Sequence, residues 1–119
     1  MRRTGFVTLC LLSLGVAGYA ITVYGLMPLG AVLHPDMCAT FEANRWAIYA
    51  HIFASTVALS LGPLQFSSRL CITLHRWLGR TYLGVGVLVG GVSGLYMAAH
   101  AFGGAAARLG FAALAMAWL

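Results

Sequence analysis

The sequence predicts an all-α protein: a polytopic transmembrane helical bundle with four spans visible, the fourth truncated. Three observations carry that expectation. Of 119 residues, 61% are hydrophobic and only 8% are charged, with a mean hydropathy of +0.91, whereas a soluble domain carries roughly a quarter charged residues because its surface faces water. The apolar residues fall into runs close to membrane length, about 20 residues for each crossing of a ~30 Å hydrocarbon core. No run alternates with period two, and lipid admits only backbones that satisfy their own hydrogen bonds, so the runs are helices.

The first run, about residues 5–33, follows Arg2 and Arg3. Its basic start and the small residues ending at Ala20 resemble a cleavable signal peptide. The apolar pattern continues from Ile21 to Leu33, however, so an uncleaved first helix is the better reading. A polar connection from His34 to Arg45 holds both acids of the chain, Asp36 and Glu42. The second run, about 46–67, opens on Trp46 and Tyr49 as interfacial aromatics, and Gly62-Pro63 should bend or end it because proline removes a backbone donor. A connection from Ser68 to Arg76 precedes a third run, about 77–102, broken by Gly103-Gly104. The fourth run, 105–119, is shorter than a full crossing and stops in mid-pattern, which reads as a fragment of a longer chain.

All seven basic residues are arginine, and the formal net charge is +5. They are scattered among apolar spans and not gathered on a soluble face, so nucleic acid is not an expected partner. Arg2, Arg3, Arg69, Arg76 and Arg80 outweigh Arg45 and Arg108 and predict a cytoplasmic N-terminus and second loop. With the Ala, Gly and Leu bias, the expected location is a bacterial inner membrane. Cys10, Cys38 and Cys71 fall in different compartments on this topology and lack CxxC spacing, which leaves no basis for a disulfide or zinc motif.

Each span carries a small or polar stripe at helical spacing: Gly15, Gly18, Thr22 and Gly25; then His51, Ser55, Ala58, Gly62 and Gln65; then Tyr82, Gly86, Gly90, Ser93 and Met97. Gly86, Gly90 and Gly94 form overlapping GxxxG motifs. Small residues let helix backbones approach in lipid, within the chain, in a homo-oligomer or against a membrane-protein partner. They also leave room for a flat cofactor.

The histidines are the candidates for chemistry. His51 lies inside a span, where ionisable residues are rare and count as functional candidates. His100 closes the next span on the same side, and two histidines on neighbouring helices can serve as axial ligands of a b-type haem. Helix-rise arithmetic places His100 roughly 7 Å shallower than His51. His34, Asp36, His51 and His100 form an alternative transition-metal set. His75, in Leu74-His-Arg-Trp-Leu-Gly-Arg80, belongs to the opposite face, where arginines and Trp77 suit anionic headgroups and a cofactor or quinone site is the alternative. No phosphate-binding loop, HExxH, GxSxG or Ser-His-Asp set is present, so hydrolytic readings fall away.

Tyr49-Ala-His51-Ile, Ala58-Leu-Ser-Leu-Gly-Pro-Leu-Gln-Phe66, His75-Arg-Trp-Leu-Gly-Arg-Thr-Tyr82 and Gly91-Val-Ser-Gly-Leu-Tyr-Met-Ala98 together resemble the predicted bacterial membrane proteins of the domain-of-unknown-function 2306 family. The resemblance runs from about Tyr49 to the end and implies a multi-span architecture, with His51 and His75 as its histidines. It implies no established activity. The leading functional expectation is a redox or haem-associated membrane subunit using His51. The alternatives are a transporter or solute-binding bundle with a polar path through His51, Ser55 and Gln65, and a structural or assembly subunit.

Overall fold

The computed structural model describes residues 3–28, 31–67 and 70–119. Arg2 and Arg69, two of the arginines used to predict orientation, lie outside the described residues. Every regular element among those described is helical. Three helices are long and apolar enough to cross a membrane: α1 (Arg3–Leu26), α3 (Arg45–Phe66) and α4 (Ile72–Ala99). A short helix, α2 (Pro35–Ala43), joins the first two, and α5 (Gly104–Trp118) completes the set.

The first helix stops seven residues before the Leu33 limit that hydrophobicity suggested. Pro28 is the cause: it lacks a donor and drives the residue before it out of helical geometry, and Met27 is extended at φ −93°, ψ 155°. The last turn, Thr22–Leu26, widens to π geometry, and Thr22 Oγ1 donates back to the Gly18 carbonyl at 2.9 Å.

The polar connection is itself mostly helical. Proline suits a first helical position, and Pro35 occupies one; His34 caps it, Nδ1 accepting from Asp36 N at 3.4 Å. Asp36 sits in that first turn, where a carboxylate favours the positive helix end. Asn44 closes the turn, with Nδ2 donating to the Thr40 carbonyl at 2.9 Å.

Gly62-Pro63 ends the regular part of α3 at Leu61, and Pro63–Phe66 continue as one 3-10 turn. The fourth helix begins at Ile72, so His75 and Arg76 are helical and not part of a loop as charge alone suggested. Nothing between Ile72 and Trp77 breaks a helix, and charged residues do not end one where it runs on into the headgroup zone. Its middle, Tyr82–Val89, is π-helical. Gly103 (φ 106°) and Gly104 (φ 76°) then turn the chain in the left-handed region, which side chains with a Cβ avoid.

In packing, α3 is central. It meets α1 on one side and α4 on the other, while α5 packs on the last third of α4. Ala54 and Ala58 are buried, and a Cβ on Gly86 would lie only 2.8 Å from Ala58 Cβ. The glycines of the GxxxG run therefore pack within this chain. The stripe expected on α1 is different. Gly15, Gly18 and Gly25 face open space, and the contact is made by Ser13, Ala17 and Val23. Ser13 and Ala17 are four apart and share a face; Gly15 and Gly18 are turned away from it by roughly 100° or more. Leu11, Leu12, Phe53, Leu83 and Leu109 point outward, as an apolar solvent permits.

Candidate functional site

Phe41 is the wedge that builds the site. It is buried, stacked on Tyr24 of α1 at 6.2 Å and edge-on to Tyr49 of α3 at 6.1 Å. This cluster fixes α2 across one end of the bundle. Tyr96 of α4 donates its hydroxyl to Asn44 Oδ1 at 2.9 Å, which ties the α2–α3 junction to the far side. Between these anchors lies a cavity of about 570 Å³, within the range of ligand and cofactor sites. Its wall is largely apolar: Met37 and Phe41 from α2, Ile48 and Ile52 from α3, Met97 from α4, and Phe111, Leu114 and Trp118 from α5. Gly90, Gly91 and Gly94 stand on its α4 side, where a Cβ would meet Ala54, Leu119 and His51 respectively.

His51 and His100 both line this cavity. His51 Nδ1 lies 2.8 Å from the Gly90 carbonyl. A carbonyl only accepts, so Nδ1 carries the ring proton and Nε2 keeps its lone pair. Ser93 donates its hydroxyl to Val89 O at 2.6 Å and lies 3.5 Å from His51 Nδ1. Ser55 Oγ stands 3.5 Å from Nε2, the outer limit of hydrogen bonding. Gly94 is part of the seat, because a Cβ there would come within 3.2 Å of His51 Cε1. His100 repeats the pattern: its Nδ1 donates to the Tyr96 carbonyl at 3.0 Å, and its ring rests on the Tyr96 ring at 4.7 Å.

The other expected residues separate. His34 caps α2; its Nδ1 also lies 3.4 Å from Asp36 Oδ2, so the cap and the ion pair compete for one nitrogen. Its ring stacks on Phe102 at 6.5 Å. Among the described residues no three His, Cys, Asp or Glu side chains gather where a metal ion could sit, so the set His34, Asp36, His51 and His100 does not close into one centre. His75 is near the start of α4 and His100 just follows its end, roughly 35 Å apart along the axis at helical rise. His75 therefore takes no part in this cavity. Gln65, expected on a polar path with His51 and Ser55, instead lies beside Gly79 and does not line the cavity.

Several site residues carry no local signal in the sequence. Trp118 reaches across 32 positions to donate Nε1 to the Gly86 carbonyl at 3.3 Å, and Asn44 meets Tyr96 across 52. The first of these contacts is made at the π turn of α4. That turn spans Tyr82–Val89, and carbonyls at Gly86 and Gly90 accept side-chain donors from α5 and α3. π turns concentrate at functional sites.

The chain matches the family described as "Predicted membrane protein (DUF2306)" over residues 48–119. That stretch takes in His51, the π turn, His100 and α5. No curated protein matches the chain, and no solved structure does. With more than half its length in the match, the chain belongs to the DUF2306 family of predicted membrane proteins.

Proposed function

We propose that this integral membrane protein is a haem-associated redox subunit in which His51 and His100 offer Nε2 ligands to a b-type haem in the cavity. One observation carries the reading. Both histidines facing the cavity hold Nδ1–H on a backbone carbonyl, at 2.8 Å for His51 and 3.0 Å for His100. Metal-ligating histidines are oriented in this way, because the second hydrogen bond fixes the tautomer and raises the basicity of the free nitrogen. Gly90 and Gly94 let α3 and α5 close around the cavity, whose lining is largely apolar, as a porphyrin requires. When bound, the haem would supply reversible one-electron chemistry. The chain's own part is to orient the two rings and exclude water.

The proposed setting is the bacterial inner membrane with the N-terminus in the cytoplasm. Arg3 starts α1, and Arg76 and Arg80 occupy the first turns of α4. The acids Asp36 and Glu42 are both on α2, at the cavity end. Arginine retained on the cytoplasmic side then puts the cavity toward the outer face.

The test is the reduced-minus-oxidised absorption spectrum of the full-length protein, expressed with ample haem. Sharp b-type bands are expected. They should vanish in His51→Ala, weaken or shift in His100→Ala and persist in His75→Ala. A colourless protein, or bands indifferent to His51, would overturn the reading.

A further inference from the structure

The opposite end of the bundle carries a separate feature. Gln65, in the 3-10 turn closing α3, lays its carboxamide over Gly79 of α4, where a Cβ would lie 3.3 Å from Oε1. The other half of that carboxamide is unanswered: Nε2 is buried without a hydrogen-bond partner. Buried donors nearly always find an acceptor. On a helix, His75 and Arg76 are the neighbours of Gly79 one turn back, and Arg80 shares a face with Arg76 one turn on. Arg76 and Arg80 are exposed. The missing partner is thus an acceptor seated among cationic and donor groups.

We propose that this end binds the phosphate of an anionic phospholipid, with Gln65 Nε2, Arg76 and Arg80 as donors and His75 beside them. Two observations favour a lipid over a soluble anion. Ile72 is 65% exposed and Trp77 61% exposed on the same turns as the arginines, and Arg80 lies over the Trp77 ring at 5.3 Å. Aromatic, aliphatic and arginine side chains exposed together belong to the headgroup boundary. The choice of an anionic lipid follows from charge. Both acids of the chain are on α2, at the other end, so a zwitterionic headgroup finds donors for its phosphate and no carboxylate for its amine. Arginine attraction to acidic headgroups then works unopposed.

The experiment is thermal unfolding of the full-length protein in nanodiscs of phosphatidylcholine, with and without phosphatidylglycerol. A second arm adds inorganic phosphate to the phosphatidylcholine discs. Phosphatidylglycerol should raise the unfolding temperature, and inorganic phosphate should not. Gln65→Leu and the double variant Arg76→Gln/Arg80→Gln should abolish the rise. Gln65→Leu should retain the wild-type unfolding temperature in phosphatidylcholine, because it removes an unanswered donor without leaving a hole. Equal stability in both lipids, a full rise in Gln65→Leu, or the same rise from inorganic phosphate would each overturn the proposal. The haem spectrum is a separate readout, so failure of one leaves the other standing.

Discussion

Replacing Gly86 by alanine tests the tightest contact in the bundle. The new methyl would start 2.8 Å from Ala58 Cβ, 3.1 Å from its Cα and 3.3 Å from its N. Carbon atoms rest at about 3.5–4.0 Å, so α3 and α4 must part by roughly 1 Å. Overpacking of this kind costs about 1–3 kcal/mol. Alanine also gains up to about 1 kcal/mol of helix propensity over glycine, which would blur a single measurement. Gly84 supplies the control: it lies in the same π turn, and a Cβ there meets nothing within 4 Å. Gly84→Ala carries the propensity gain without the clash, so the difference between the two variants isolates the contact. In reversible unfolding by SDS in mixed micelles, Gly86→Ala should be less stable than Gly84→Ala by about 1–3 kcal/mol. Ala58→Gly in the Gly86→Ala background should recover part of the loss, since one of the three close atoms goes. Equal stability of the two alanine variants would refute the close-packing argument.

Gly94→Ala puts a methyl 3.2 Å from His51 Cε1; the expected result is a helical, membrane-inserted protein whose haem bands are lost or shifted in the same spectrum. Gly103→Ala forces φ 106° on an L-residue and brings its Cβ to 3.0 Å from Ala107; it should cost about 1–3 kcal/mol in SDS unfolding. Cys38 on α2 and the exposed Cys71 before α4 lie at opposite ends. In spheroplasts a membrane-impermeant maleimide should modify Cys38 and reach Cys71 only after permeabilisation; the reverse pattern would invert the topology.

The helices were legible because lipid imposes length and hydrophobicity on each span separately. Their ends were less so. Pro28 stops α1 early, and α4 starts at Ile72 because a charge-bearing turn can be helix as readily as loop. On α1, glycine spacing says where a backbone is thin, not which face packs within the chain; Ser13 and Ala17 make that contact, and the glycine face is left open. His51 could be singled out from its depth alone. Its pairing with His100 on one cavity depended on α2 folding over that end, and the ties that hold it there, Tyr24–Phe41 and Tyr96–Asn44, link positions far apart in the chain. No periodicity encodes such pairs.

The π turn in α4 also bears on which changes of chain length the protein tolerates. An insertion or deletion in a loop displaces little, but one residue removed from a continuous helix rotates everything beyond it by about 100°. Gly90, Ser93, Gly94, Met97 and His100 all lie beyond Tyr82–Val89. A one-residue deletion inside the wide turn can be absorbed by closing it to α geometry, which leaves the facing of the residues beyond it nearly unchanged, whereas a deletion between Gly90 and His100 has no such slack and turns His100 away from the cavity. Homologous chains should therefore preserve the number of residues between Gly90 and His100 more strictly than the number between Tyr82 and Gly90.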